Sequence, residues 1–329
     1  MKFAPPQLND RALRHHLRAF RIGDLVASRG VSGGVLGMLY ELNTTRGRYV
    51  MRLLADRQPA DARFEEALLK HLEERSFPVA PVLKARHESS SVPVSKHADL
   101  SLFHPVPGRA LAAFEVSPEH ARQVGAFLGS MHLALKSFRR VRRSRATPPM
   151  VARQLERLLK RTMPDEVGRD ARALGLELVR HLTQRRMPRG VVHGDLTIDH
   201  SRFAHGELRA VLGFGNAAVG PLAWDLAVAL CDWGFSHDRL MLDRAAALVA
   251  GYESVRPLEP SERAGLFDLT RYAATRGAIM HMGAFEVPPR QSVLRYRDYR
   301  HSMRRLDALR ALGAQQFRDK ILGRSARER

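Results

Sequence analysis

The stretch VVHGDLTIDHSRF, residues 191–203, places acidic and imidazole side chains directly after an apolar pair. Its pattern predicts a short strand, then His-Gly-Asp, a polar loop and a further pair of strands. In phosphoryl transfer from ATP, a carboxylate orients the attacking hydroxyl while cations neutralise the phosphates. Asp195 stands where that carboxylate is needed, and His193 is placed to brace the loop. The stretch therefore predicts a phosphotransferase catalytic loop, although a His-Gly-Asp triplet alone is common by chance.

The elements around this loop fall into two groups. Residues 26–54 alternate in places and are broken by glycines, residues 61–77 have a helical period, and residues 81–111 resume strand-like patterns. Together they predict a small α+β lobe over residues 1–109. From Ser117, an N-cap followed by proline, the pattern is mainly helical and predicts a second lobe over residues 110–329. The basic segment 137–150 is predicted to be a mobile linker inside that second lobe.

The composition predicts a soluble globular protein without a membrane span. The chain has 329 residues, of which 44% are hydrophobic and 27% charged, and it contains no apolar run near the roughly 20 residues that a span requires. The first residues show no apolar secretory segment. Cys231 is the only cysteine and is expected to be a buried helical residue. We expect a reducing, cytoplasmic location.

The chain is strongly basic. It has 54 lysines and arginines against 34 acidic residues, a formal charge of +20. Such a charge favours polyanions and could serve an acidic partner, with nucleotides, phosphorylated metabolites, nucleic acid and anionic lipid all open. The densest basic run, KSFRRVRRSR at residues 136–145, lacks the interleaved aromatic residues typical of nucleic-acid binding. A solvated basic face is the favoured interpretation.

The region after His193 resembles a known family. HGDLTIDHSRFAHGELRAVLGFGNAAVGPLAWDLAVALCDWGF, residues 193–235, resembles the aminoglycoside phosphotransferase superfamily and, in detail, its type II homoserine kinases. The segments RGRYVMRLL, HLEERSFPVAPVLKA, VGAFLGSMHLAL and GYESVRPLEPSERAGL extend the resemblance to about residues 20–285. It implies a two-lobed, protein-kinase-like α+β fold with an antiparallel-sheet N-lobe and a mainly helical C-lobe. It also implies ATP-dependent phosphorylation of a small-molecule hydroxyl.

The resemblance assigns roles to individual residues. Asp195 would orient the substrate hydroxyl, Arg52 would contact the nucleotide phosphates, and Glu65 would pair with Arg52, with Glu66 the adjacent candidate. Gly33 and Gly34, in GVSGGVLG, would belong to the loop over the phosphates. That segment does not match the GxGxxG spacing, and a plain glycine-rich hairpin explains it about as well. Three further residues are expected to be structural. Asp225 would hold its helix to the catalytic-type loop, and Trp224 and Trp233 would be aromatic residues of the core.

The departures from the family pattern fall at its metal site. His200 replaces the loop asparagine, and Gly213, which has no side chain, replaces the hairpin aspartate. Magnesium prefers oxygen ligands, and an imidazole suits softer metals better. Asp199 could offer an oxygen beside His200. These replacements put Mg²⁺ binding in doubt.

Three hypotheses follow from these residues. The first is a pseudokinase-like protein that keeps the fold and has lost ordinary magnesium-dependent transfer. The second is an active small-molecule kinase with a metal site rebuilt from Asp199 and His200. The third, a nucleic-acid-associated protein, rests on charge alone and would show salt-dependent binding to arbitrary DNA.

Overall fold

The chain forms two compact units. A computed structural model describes residues 8–34, 37–55, 59–96, 98–181, 186–282 and 299–323. Residues 8–106 make most of their contacts with one another and form the first unit. Residues 107–282 and 299–323 form the second unit in the same way. The turn between residues 34 and 37, inside the glycine-rich segment, lies outside the described residues.

The first unit is an antiparallel sheet with two helices. The helices are α1 (Asp10–Leu17) and α2 (Pro59–Glu73). The strands are β1 (Leu25–Gly34), β2 (Gly37–Thr44), β3 (Gly47–Ala55), β4 (Val82–Leu83), β5 (Val92–Ser95) and β6 (Ala98–Phe103). The strand order is β1-β2-β3-β6-β4, with β5 also paired to β6.

The alternation of β3 decides which of its side chains enter the core. Met51 and Leu53 are fully buried and belong to a cluster that includes Phe20 from the segment after α1 and Leu100 from β6. Because side chains on a strand alternate between faces, Arg52 lies on the opposite face from these two residues. The side chain of Arg52 can therefore make contacts outside that cluster.

In the part of the chain that the structure describes, the second unit is mainly helical and carries three short two-stranded sheets. Its helices are α3 (Pro118–Ala134), α4 (Pro148–Leu159), α5 (Asp165–Val179), α6 (Ala223–Trp233), α7 (Leu242–Glu253), α8 (Pro260–Met282) and α9 (Tyr299–Phe317). Its strands are β7 (Arg189–Val192), β8 (Ser201–Ala204), β9 (Glu207–Val211), β10 (Ala218–Pro221), β11 (Phe235–Ser236) and β12 (Arg239–Leu240). β7 pairs with β10, β8 with β9 and β11 with β12, all antiparallel. The loop predicted to be catalytic lies between β7 and β8.

Helix α6 forms the centre of the second unit. Every residue from Ala223 to Trp233 is buried, so the prediction of core aromatics at Trp224 and Trp233 is confirmed. Cys231 is also buried there, and its thiol donates to the Thr270 carbonyl at 3.0 Å. Burial raises the pKa of the Cys231 thiol to about 12, as expected of an inert structural cysteine.

The helix start predicted at Ser117 is confirmed. Ser117 accepts a hydrogen bond from the His120 amide at 3.2 Å, and Pro118 occupies the first turn. The His120 ring in turn accepts from the Ser117 amide at 3.2 Å. This reciprocal pair satisfies two amides that a helix end would otherwise leave without partners.

The basic segment expected to be a mobile linker is held to the rest of the second unit. The Val219 amide donates to the Arg142 carbonyl at 2.8 Å, and the Arg142 guanidinium donates to the Gly215 carbonyl at 2.6 Å. The Tyr272 hydroxyl donates to the Ala146 carbonyl at 2.7 Å. These bonds argue against free mobility, which sequence composition alone suggested.

The membrane prediction can be checked on most of the chain. Within the described ranges, every helix is too short or too polar to span a bilayer.

Candidate active site

Arg52 and Glu65 form the predicted ion pair of the first unit. The two guanidinium Nη atoms of Arg52, on β3, donate to the two carboxylate oxygens of Glu65, on α2, at 2.7 and 2.8 Å. The side chains are only 11% and 3% exposed, and the Arg52 guanidinium lies 4.9 Å above the Phe103 ring. Such a two-bond geometry fixes the direction of a buried charge. Glu65, and not Glu66, is therefore the partner.

One nitrogen of Arg52 remains without a partner. Its Nε is buried and has no hydrogen-bond partner among the residues that the structure describes. A buried guanidinium donor that the protein leaves unsatisfied is suited to an anionic oxygen from a ligand. The contact with nucleotide phosphates stays a prediction.

Gly33 and Gly34 lie at the end of β1. They pair across the sheet with Met38 and Gly37 of β2, respectively. A glycine-rich hairpin is thus present, and whether it covers phosphates stays a prediction.

The catalytic-type loop is held by backbone hydrogen bonds to Asp225. The amides of His193 and Gly194 donate to the two carboxylate oxygens of Asp225, each at 2.7 Å. Gly194 has φ +79, and a side chain there would meet the Asn216 carbonyl. This confirms the predicted structural tie from helix α6 to the loop.

His193 uses both ring nitrogens to hold the loop. The Leu212 carbonyl can only accept, so Nε2 of His193 carries the proton of their 2.8 Å bond. Nδ1 accepts from the Asp195 amide at 3.2 Å. Complete burial lowers the pKa of the His193 imidazole, which favours this neutral form. This arrangement favours a positioning role for His193 over proton transfer, and that role stays a prediction.

Asp195 presents its carboxylate at the end of this braced turn. The side chain is 31% exposed, and Oδ2 accepts from the Asn216 amide at 3.1 Å. A partly exposed, oriented carboxylate is the group that a phosphoryl-transfer loop needs.

His200 fills the space above Gly213. Gly213 has φ +83, and a Cβ atom built there would lie 2.5 Å from Cδ2 and 2.7 Å from Nε2 of His200. The ring is fixed because Nδ1 donates to the Asp195 carbonyl at 2.6 Å. The two departures from the family pattern are thus one steric arrangement, in which the imidazole occupies the place of the missing carboxylate.

The residues at this position do not fit a magnesium ion. Nδ1 of His200 is committed to a carbonyl, Gly213 offers no side-chain ligand, and the Asp199 side chain is exposed. Across the described ranges, no three histidine, cysteine, aspartate or glutamate side chains are arranged to hold a metal. Magnesium requires near-octahedral oxygen coordination.

A second aspartate of α6 holds the far end of the loop. Asp232 accepts from the Ile198 amide at 2.8 Å and from the Arg305 guanidinium at 3.0 Å. Asp225 and Asp232 are seven positions apart, two helical turns, so both face the loop. The sequence patterns did not predict a site role for Asp232 or Asn216. The spacing of Asp225 and Asp232 was the available signal.

The family of the chain follows from this geometry and from comparison with known proteins. The model of the phosphotransferase enzyme family, APH, matches residues 28–258. The chain belongs to this family.

More particular relatives are homoserine kinases. The homoserine kinase of Methylobacterium radiotolerans is 32% identical over 308 residues, covering 91% of this chain and 94% of that protein. The homoserine kinase of Hyphomonas neptunium is 30% identical and covers 86% and 89%, respectively.

Solved structures show the same kinase-like fold. An amicoumacin kinase in complex with AMP-PNP and Ca²⁺ has a TM-score of 0.68 at 14% identity, covering 93% of both chains. A microcompartment-associated aminopropanol kinase has a TM-score of 0.65 at 15% identity, covering 92% of this chain and 97% of that one. The predicted fold class and family are confirmed.

Proposed function

We propose that this protein is a nucleotide-binding small-molecule phosphotransferase in which ordinary magnesium-dependent transfer is impaired. The observation that carries the proposal is the His200 ring packed onto Gly213, where a carboxylate would have to project. The ancestral activity is the ATP-dependent phosphorylation of a hydroxyl, and homoserine is the first acceptor to test because the relatives include homoserine kinases.

Nucleotide binding is supported by the first unit. The Arg52–Glu65 pair is intact, and the Nε of Arg52 lacks a partner within the described residues. An arginine held in this way can offer an anion a charged, directed donor. A structural relative solved with AMP-PNP supports ATP as the first nucleotide to test.

The retained geometry of the loop that carries Asp195 supports descent from an active kinase. Asp195 is oriented by Asn216, and the turn that carries it is braced by Asp225. We assign Asp195 the role of orienting the acceptor hydroxyl and accepting its proton. His193 supports that role by holding the turn.

The expected impairment is large. Groups that stabilise charge in a transition state typically contribute about 3–4 kcal/mol each. With the contributions of two ligand positions lost, the rate would fall by roughly five orders of magnitude if the losses add. Nucleotide binding through Arg52 would survive such a loss.

The alternative is an active kinase with a rebuilt metal site. It is favoured by the intact Asp195 loop and by the likeness to homoserine kinases along most of the chain. In that case Asp199 and Nε2 of His200 would supply ligands, and a softer ion such as Mn²⁺ or Zn²⁺ would replace magnesium.

The deciding experiment is calorimetric titration with ATP, with no metal and then with Mg²⁺, Mn²⁺ or Zn²⁺, combined with a transfer assay on homoserine. The test variant is His200→Asn/Gly213→Asp. The control is His205→Asn/Gly206→Asp, which makes the same changes in the β8–β9 turn, where φ is also positive and a side chain meets open space.

We expect the wild type to bind ATP with equal affinity with and without metal and to transfer no phosphate. The test variant should gain a magnesium-dependent increase in affinity, and the control should not. Transfer by the wild type with Mg²⁺ would overturn the proposal. Transfer with Mn²⁺ or Zn²⁺, abolished by Asp199→Asn, would establish the alternative.

A further inference from the structure

A half-open cavity in the second unit is large enough to hold a small ligand. It measures about 640 Å³ and lies between the end of α3, the basic segment after it, β7 and the residues that follow α7. Ligand pockets typically measure about 300–1,000 Å³. Its wall includes none of the loop residues 193–200, so it is separate from the candidate active site.

The cavity combines positive charge with apolar surface. Three exposed cations border it, Lys136, Arg140 and Arg189, against one exposed carboxylate, Glu259. Its wall also contains apolar side chains that are exposed to solvent, among them Val141, which is 75% exposed, and Leu133, which is 37% exposed. Such a lining favours an organic anion with an apolar body over a bare inorganic ion.

A buried chain of hydrogen bonds joins this cavity to the catalytic-type loop. His132 and Arg256 both line the cavity. The Arg256 guanidinium donates to the Tyr252 hydroxyl at 2.8 Å, and that hydroxyl contacts Nδ1 of His132 at 2.8 Å. Nε2 of His132 contacts Asp225 at 2.9 Å, and Asp225 holds the His193 amide.

The direction of donation along this chain follows from its ends. Arginine can only donate, so the proton of the Tyr252 hydroxyl is available for Nδ1 of His132. The other ring nitrogen then donates to Asp225. The Arg256 guanidinium also donates to the buried Glu262 carboxylate at 3.0 Å. Hydrogen-bonded groups in a buried network polarise one another, so an anion beside Arg256 would act on the bonds of this chain.

We propose that this cavity is a second binding site, for a small organic anion with an apolar body, and that its occupancy is transmitted through His132 and Asp225 to the loop that carries Asp195. The site is independent of the nucleotide function proposed above. Its ligand would act as an effector and not as a reactant, since neither Asp195 nor Asn216 belongs to the lining of the cavity.

The test uses phenyl phosphate as the probe, with inorganic phosphate for comparison, titrated calorimetrically into the full-length protein without nucleotide. The site variant is Lys136→Ala/Arg189→Ala. The control is Arg139→Ala/Arg143→Ala, which removes the same charge from exposed arginines in the adjacent segment that do not line the cavity. Comparison of the two variants distinguishes binding in the cavity from general electrostatic attraction to a chain with a formal charge of +20.

We expect phenyl phosphate to bind more tightly than phosphate, and the site variant to weaken it by roughly tenfold or more. The control should change affinity by much less. Equal losses in the two variants, or a loss in neither, would overturn the site. A probe that binds at Arg52 instead of in the cavity would give the second of these results, a loss of affinity in neither variant.

Transmission is tested by hydrogen–deuterium exchange of the amides at 193–198. Exchange should slow when phenyl phosphate binds the wild type, and His132→Phe should remove the effect while the probe still binds. Binding without a change in exchange would refute transmission and leave an isolated anion site.

Discussion

At the scale of single residues, the two replacements at the metal position are not independent. His200 and Gly213 share one volume, since a side chain at Gly213 would overlap the imidazole. The ring cannot turn away cheaply because Nδ1 is bonded to the Asp195 carbonyl. Restoring one ligand position alone therefore creates strain, and both must change together to rebuild the site.

This coupling is measurable in stability. Gly213→Asp alone should destabilise the protein by about 2–4 kcal/mol, from the left-handed backbone and from overpacking against His200. Adding His200→Asn should recover about 1–3 kcal/mol of that loss, because it removes the ring. Urea denaturation of the four proteins of the cycle gives the coupling energy. Gly206→Asp, in open space at φ +78, should lose only the backbone contribution, and additive effects would contradict the shared volume.

The buried pair in the first unit supports a second residue-level prediction. Glu65→Gln removes the charge that balances Arg52 while keeping the shape, and it should cost about 3–5 kcal/mol, as breaking buried ion pairs does. Glu66→Gln, on the next position of α2 and only partly buried, is the control and should change stability by less than about 0.5 kcal/mol. Urea denaturation followed by circular dichroism measures both. Equal costs would refute the assignment of Glu65.

The predictions for the site residues rest on one local motif and on the family resemblance. Asp195 follows a strand in a short triplet, whereas the roles of Arg52 and Glu65 are those that the resemblance implies. Asn216 is not predictable from a local pattern because its partner, Asp195, is 21 positions away. Asp232 lies 34 positions from Ile198, and only its seven-residue spacing from Asp225 indicates that it faces the loop. His132, like Asn216, is not predictable from a local pattern, since its contact with Asp225 spans 93 positions. Contacts made only by folding leave no local periodicity.

At the scale of elements, helices α3 and α7 pack with backbone against backbone. A side chain at Gly125 of α3 would overlap the Leu248 carbonyl, and one at Gly251 of α7 would overlap the Arg122 carbonyl. The glycines are reciprocal, each opening space for the other helix. This close approach also sets the position of Tyr252, the next residue of α7, against His132 of α3.

The crossing can be tested with single methyl groups. Gly251→Ala should destabilise the protein by about 3 kcal/mol, because rigid backbone atoms must move apart. Gly175→Ala, on α5, would meet only the Leu155 side chain at 3.4 Å. It should be neutral or stabilise by up to about 1 kcal/mol through helix propensity. Thermal unfolding of both variants decides the matter, and a harmless Gly251→Ala would disprove the close approach.

Element boundaries show where sequence reasoning was sufficient. The start of α3 was predictable because Ser117 and Pro118 specify it chemically. The order of the segment 137–150 was not, because its composition reads as a solvated linker. Two of its hydrogen bonds use the backbone carbonyls of Arg142 and Ala146, which every residue type possesses. The third uses the Arg142 side chain, whose acceptor, Gly215, is 73 positions away.

At the scale of the whole molecule, part of the arginine excess is internal. Arg244 and Arg256 are buried, and Arg271 is 14% exposed in its pair with Glu177. These side chains make contacts inside the fold, so they add little to the charge of the outer surface. The surface charge available to an acidic partner is therefore smaller than the composition suggests, and that partner stays a prediction.

Glu177 is the centre of the largest of these buried charge networks. This carboxylate of α5 is 1% exposed and accepts from Arg271 of α8 at 2.5 Å and from Arg310 of α9 at 2.8 Å. Burial raises the pKa of Glu177, but the hydrogen bond from Arg310 and the charges of both arginines lower the pKa by more than burial raises it. The net pKa therefore lies below its ordinary value of 4.5. One carboxylate thus ties three helices.

The network predicts how the second unit responds to acid. Because the pKa of Glu177 is lower in the folded state, the unfolded chain takes up the proton first, and stability falls as pH drops below 4.5. Glu177→Gln should cost about 3–5 kcal/mol at pH 7 and should show a shallower decline in acid, since it lacks that proton. Glu166→Gln, on the same helix in an exposed pair with Arg300, should change stability by less than about 1 kcal/mol and keep the wild-type decline. Urea denaturation across this pH range measures both slopes, and parallel curves for wild type and Glu177→Gln would show that Glu177 does not join the helices through its charge.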